Sequence, residues 1–248
     1  DWEGLIKAAI TEARSSFDEN NPRHTLALKE QAEALERLTT RKLSVLVGKA
    51  GTGKTSVLGA LLRCEKLNEE GILLLAPTGK ARVRLGKATN QMAMTVAQFL
   101  YSLNRYDGVR QRPLFNGDTY RKEKTVVIDE CSMLTLDDIC AVLKALDLGH
   151  ATRIILVGDP NQLPPIGIGR PFADLVGYLD KLSESEQPEH KHQSQALARL
   201  TIEVRALAGS PSDTLRLASW FTREQQPVDA DRVISDLELG KEFNDLDI

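Results

Sequence analysis

A short β-rich run, Leu43-Ser44-Val45-Leu46-Val47, feeds directly into Gly48-Lys49-Ala50-Gly51-Thr52-Gly53-Lys54-Thr55, and helical apolar spacing follows from Ser56 to Arg63. Strand, glycine-rich turn and helix in that order constrain the chain to a parallel crossover. The turn has the form G-x-x-x-x-G-K-T, a complete P-loop. Its glycines let successive backbone N–H groups point inward around a phosphate, and the following helix adds its partial positive N-terminus. The cradle therefore runs from Gly48 through Ala50, Gly51, Thr52, Gly53, Lys54 and Thr55 to Ser56. Lys54 would reach the β- and γ-phosphates, and the Thr55 hydroxyl would hold Mg²⁺. The ligand expected is ATP with Mg²⁺.

The rest of the chain alternates in the same way. Continuous apolar runs recur at Gly71–Ala76, Thr125–Ile128 and Arg153–Val157, the signature of strands buried on both faces. Helical spacing spans Leu5 to about Asn20, Leu26–Leu38 and Leu136–Leu146. The expected fold is α/β, a parallel sheet with helices on both faces, and its ligands would sit beyond the carboxyl ends of the strands. Two stretches break the alternation. Asp107-Gly108 and Asn116-Gly117 mark a protruding hairpin within 104–124, and the polar run Ser183–Gln195 reads as a mobile surface loop. Beyond it, 196–207 and 212–221 read as helices.

Composition sets outer limits. The 248 residues include three cysteines (Cys64, Cys131, Cys140) without C-x-x-C spacing, which argues for a reducing, cytoplasmic compartment and against zinc. No run of about 18 apolar residues occurs, so no membrane partner is expected. Net charge is −3, so a nucleic-acid partner must be held by a local path.

Three further motifs follow apolar strands. Val126-Val127-Ile128-Asp129-Glu130 delivers two adjacent carboxylates. Asp129 would hold the Mg²⁺ shell, and Glu130 would orient and deprotonate an attacking water. Gly158-Asp159-Pro160-Asn161-Gln162-Leu163-Pro164-Pro165 is stiffened by its prolines and carries Gln162 to the ligand edge, where its amide would sense a γ-phosphate. Ala76-Pro77-Thr78-Gly79-Lys80-Ala81-Arg82 opens a helix whose Lys80, Arg82, Arg84 and Lys87 supply local positive charge.

In this order the four motifs resemble motifs I, Ia, II and III of superfamily-1 helicases, most closely the RecD/Dda branch, over about residues 26 to 180. The resemblance implies a RecA-like first motor domain, an ATP-dependent DNA helicase activity, and translocation along single-stranded DNA. It assigns Gln31 to the adenine, Gln162 to the γ-phosphate and Arg205 to a motif IV arginine. Catalysis would then rest on Lys54, Asp129, Glu130, Gln162 and Arg205. It places Pro77, Thr78, Gly79, Lys80 and Thr95 along the nucleic acid. The usual Thr-Ile-His pattern is replaced by Thr95-Val96-Ala97, so that histidine's contact is absent. The hairpin, at about 104–120, falls where this branch carries a strand-separating pin. There Tyr101, Tyr106 and Phe115 would either stack on bases or pack the hairpin onto its own domain.

The domain boundaries expected are a helical lead-in over 1–25, the ATP-binding domain over 26–221, and an acidic tail over 222–248. That tail would lead toward a second RecA-like domain supplying motifs V and VI, and the isolated chain would then turn ATP over weakly. Two other readings keep the motifs: an RNA helicase of the same superfamily, since discrimination of the 2′-OH is not legible here, and a nucleotide-gated switch without motor activity.

Overall fold

A computed structural model describes residues 1–12, 20–202 and 204, and the fold below is that of the unit spanning 1–203. Two helices lead in, α1 (Trp2–Glu12) and α2 (Pro22–Thr40). The P-loop unit follows as β1 (Leu43–Gly48) and α3 (Lys54–Leu62), and a short α4 (Glu65–Glu69) leads to β2 (Ile72–Ala76) and α5 (Gly79–Thr89). Next come β3 (Ala93–Thr95), α6 (Val96–Ser102), a ribbon of β4 (Tyr106–Asp107) and β5 (Arg112–Pro113), then β6 (Thr125–Ile128) and α7 (Leu136–Ala145). The unit closes with β7 (Arg153–Gly158), α8 (Pro171–Ser183), α9 (Pro188–Ser194) and β8 (Leu197–Leu200).

Six strands form one parallel sheet in the order β3-β2-β6-β7-β1-β8. Side chains alternate across it with the period of two that a pleated strand imposes. Val45, Val47, Val126, Ile128, Ile154 and Leu156 face one core, closed by Phe99, Val142 and Phe172 from α6, α7 and α8. Leu46, Leu74, Val127, Ile155 and Val157 face the other, closed by Ile6, Leu35 and Leu58 from α1, α2 and α3. Both faces are buried, which is why the strands read as continuous apolar runs. The α/β fold with a doubly covered parallel sheet is therefore as the sequence predicts.

Three details differ. Asn20-Asn21-Pro22, read as the stop of the first helix, is the start of the second: the Asn21 side chain accepts from Arg23 N at 3.0 Å and Pro22 takes the first turn. Ser183–Gln195 is mostly helical, because α8 runs to Ser183 and Pro188 opens α9. None of the α9 side chains is buried, so nothing apolar in the sequence advertised it. Residues 197–200 form a strand where a helix was expected. Pairing with β1, Val45 against Leu197 through Gly48 against Leu200, overrides the helical spacing. The expected helix over 212–221 and Arg205 both lie outside the described residues.

The hairpin signals fall on the β4–β5 ribbon, Tyr106 opposite Pro113. Arg105, 1% exposed, anchors the segment behind it. Its guanidinium donates to the Gly117 and Thr119 carbonyls and lies over the Tyr120 ring, 5.0 Å from the centroid. Tyr106 packs against the core and Lys144 lies 5.1 Å over Phe115, whereas Tyr101 is 67% exposed.

Candidate nucleotide-binding site

All four motifs sit at the carboxyl edge of the parallel sheet, where α/β ligands bind. β1 delivers the P-loop, β2 the Pro77–Lys80 segment, β6 Asp129 and Glu130, and β7 Gly158 and Asp159. Gly51 and Gly53 take φ of +88° and +90°, a backbone that side-chain-bearing residues rarely adopt. Gly53 ends the turn, and α3 begins at Lys54 with Thr55 exposed in its first turn. The Lys54 ammonium donates to the Gly48 carbonyl and, at 3.0 Å, to the Lys49 carbonyl, so it lies across the mouth of its own loop. Burial holds its pKa below the ordinary lysine value, and the nearby charges of Asp159, Glu130 and Asp129 act in the opposite direction.

The acidic pair follows β6. Asp129 is 4% exposed and its Oδ1 accepts from Glu130 N at 2.9 Å. Burial, then the charge of Glu130, raises its pKa above the usual carboxylate value. Glu130 has φ 54°, in the left-handed region, which turns its side chain out of the strand direction. Its Oε1 receives Arg84 of α5 in an ion pair, and its Oε2 is buried with no hydrogen-bond partner among the described residues. Behind it, Ser132 Oγ donates to Gln162 Oε1 at 3.1 Å and so ties the acidic turn to the exposed proline-rich loop.

Gln31 lies beneath the P-loop, 2% exposed. Its amide nitrogen donates to the Thr52 carbonyl at 3.1 Å, and a Cβ on Gly53 would collide with that nitrogen. Its Oε1 is buried without a partner among the described residues. Thr78 caps α5, accepting from Ala81 N at 3.2 Å, and Thr95 caps α6, accepting from Gln98 N at 3.0 Å. Each hydroxyl uses a lone pair for its cap and keeps its proton for another acceptor. Pro77 is half-buried; Gly79 and Lys80 are exposed.

Sequence reasoning missed two members of this cluster. Arg84 stood out only as one cation of a basic helix, and Asp159, 7% exposed, only as a motif letter. Spacing within α5 does not reveal which cation reaches β6. The sheet order does, because β2 and β6 are neighbours.

A nucleoside triphosphate with a divalent cation fits these residues. The loop offers the left-handed glycines of a phosphate cradle and an ammonium, and the buried Glu130 Oε2 has no donor among the described residues. Among the described residues no three His, Cys, Asp or Glu side chains gather into a metal cage. A Mg²⁺ would therefore share its shell with phosphate oxygens and water, as this hard cation commonly does.

Fold and site together define a P-loop nucleotide-binding domain. A family model described as an AAA domain matches residues 27–212, and the chain belongs to that family. It is 31% identical over 202 residues to an uncharacterised protein of Methanocaldococcus jannaschii, covering 75% of this chain and 16% of that protein. It is 36% identical over 151 residues to the ATP-dependent RecD2 DNA helicase of Deinococcus radiodurans, covering 59% of this chain and 19% of the helicase. Over 165 residues it is 34% identical to the RecBCD enzyme subunit RecD of Mycobacterium tuberculosis, covering 59% and 28% respectively. The chain thus spans well under a third of each of these relatives. Among the described residues no helix is long and apolar enough to cross a membrane.

Proposed function

We propose that this chain is the ATP-binding first motor domain of a RecD-like DNA helicase, coupling ATP hydrolysis to movement along single-stranded DNA. The observation that carries the reading is the gathering of Lys54, Asp129, Glu130 and Asp159 at one sheet edge, on three of the four motifs whose order matches that of this helicase branch. The similarity to two RecD-type proteins supports it.

In this reading the loop from Gly48 to Ser56 wraps the phosphates, Lys54 neutralises the β- and γ-phosphates, and Thr55 with Asp129 holds Mg²⁺. The cation, when bound, supplies charge neutralisation at the phosphoryl oxygens. Glu130 accepts the proton of the attacking water, since its Oε2 has a lone pair uncommitted within the described residues. Gln162 links the γ-phosphate to Ser132 and the acidic turn. Gln31 supports the loop through Thr52, and its Oε1 would accept from an exocyclic amine such as adenine's. Pro77, Thr78, Gly79, Lys80 and Thr95 line the strand path. A second RecA-like domain, carried elsewhere in the longer protein, completes the ATP site and supplies an arginine finger.

The test is nucleotide binding and turnover with a fluorescent ATP analogue. Lys54→Ala is expected to abolish Mg²⁺-dependent binding by this chain, and Glu130→Gln to retain that binding while lowering turnover of the proposed two-domain motor by about 10²–10⁴, the span of a lost general base. Binding indifferent to Lys54→Ala would refute the reading.

A further inference from the structure

Arg84 stands where the two halves of that proposed function meet, and the inference here rests on it. In α5, Lys80, Arg84 and Lys87 recur at i, i+4 and i+7, which sets them on one helix face, and all three are exposed. Arg84 is 57% exposed along its side chain, yet its Nη2 pairs with Glu130 Oε1 and lies 3.8 Å from Asp129 Oδ2. Its partner is the opposite: the Glu130 side chain is 11% exposed. A solvent-reachable cation from the basic face thus occupies one oxygen of the buried carboxylate proposed to activate water. The charges of Asp129 and Lys54 also act on that carboxylate.

We infer that Arg84 is a positioning residue that partitions between Glu130 and a backbone phosphate of a nucleic-acid strand lying along Lys80, Arg84 and Lys87. Without a strand, the guanidinium holds Oε1 and so fixes the orientation of the carboxylate whose Oε2 is proposed to take the water's proton. A phosphodiester offers the same cation a charge-assisted, fork-shaped partner, and Arg suits phosphate and carboxylate equally. Arg84 then leaves Glu130, and the carboxylate is free to reorient. The contact is exchangeable because Arg84 itself is 57% exposed and a phosphodiester offers it an equivalent charged partner. Strand binding and release of the base become two faces of one equilibrium, and reciprocity follows: whatever frees Arg84 from Glu130 must tighten the strand.

The experiment uses that reciprocity and needs no turnover. Affinity of the chain for a fluorescent single-stranded oligothymidylate is measured by anisotropy across a salt series, with circular dichroism and nucleotide binding confirming that each variant is folded. Glu130→Gln is expected to bind about two- to five-fold tighter, the gain from releasing one half-exposed guanidinium to the strand. Its log–log salt slope should steepen by about 0.7, the increment for one added phosphate on a single strand. Arg84→Gln should weaken binding, the double variant should match it, and Arg84→Lys should recover part of the loss. Equal affinity and slope for Glu130→Gln and the unaltered chain would overturn the inference. So would a gain of the same size in the Arg84→Gln background, which would be a general field effect. Failure of the unaltered chain to bind oligothymidylate, with Lys54-dependent nucleotide binding intact, would remove the nucleic-acid reading itself together with this inference.

Discussion

Lys54 brings a positive charge into a half-buried loop, and its environment makes the pH response of the site predictable. Burial places its pKa below the ordinary lysine value. Below that lowered pKa the ammonium is present. As pH rises through it, the charge is lost earlier than a free lysine would lose it. Affinity for a triphosphate should therefore fall between neutral pH and about pH 10 more steeply than in Lys54→Arg, whose guanidinium stays charged. Titration of nucleotide binding across that range checks it. Equal profiles would mean that Lys54 does not supply the charge. Asp129 has the opposite shift. Burial raises its pKa, so the folded protein favours its protonated form and its ionisation costs stability above the ordinary carboxylate range. Asp129→Asn should raise Tm at neutral pH by about 2–4 °C for each kcal/mol relieved, on the scale for a domain of this size. The gain should shrink as pH falls below the ordinary value, where Asp129 is protonated in folded and unfolded chains alike. A lower Tm for Asp129→Asn at neutral pH would show that Lys54, Arg84 and the Glu130 N–H outweigh burial. The P-loop, the acidic pair and Gln162 were legible at this scale because each is a contiguous motif. Arg84 was not, because its partner is 46 positions away in sequence and meets it only through strand neighbours.

Among the elements, α6 illustrates how one residue serves two demands. Thr95 ends β3 and caps α6 in a reciprocal box, Thr95 Oγ1 accepting from Gln98 N at 3.0 Å and Gln98 Oε1 from Thr95 N at 2.9 Å. Thr95→Ala should cost about 0.5–2 kcal/mol of stability, and Thr95→Ser should restore most of it. Thermal or denaturant unfolding measures the cap, and oligonucleotide affinity of the Ser variant tests the strand contact separately. An Ala variant as stable as the parent would show that the box is not formed. The β3 and α6 elements escaped sequence reading because three strand residues and a seven-residue helix are too short for periodicity to register. α9 and β8 were misread for reasons of environment. One is a helix with no buried face, and the other is a strand formed because β1 has an open edge to pair with.

At the scale of the whole molecule, two cores clamp the sheet and leave its carboxyl edge as the working surface. The proposed motor needs a second domain across that edge, and an arginine finger from it would contribute about 10³–10⁵ in rate. The 248-residue chain alone should thus bind nucleotide yet show negligible turnover, unstimulated by single-stranded DNA. Rapid DNA-stimulated turnover by the chain alone would show that its own residues complete the site.

The sequence by itself determined four of the six strands, the P-loop and the chemical type of each motif, because these depend on local periodicity and on residue types at fixed spacing. Tertiary structure alone decided which distant groups share a field. It buried Gln31 under Gly53, joined Ser132 to Gln162, and brought the Arg84 guanidinium onto Glu130. Those contacts depend on strand order and helix docking, and neither is written in the spacing of any one segment.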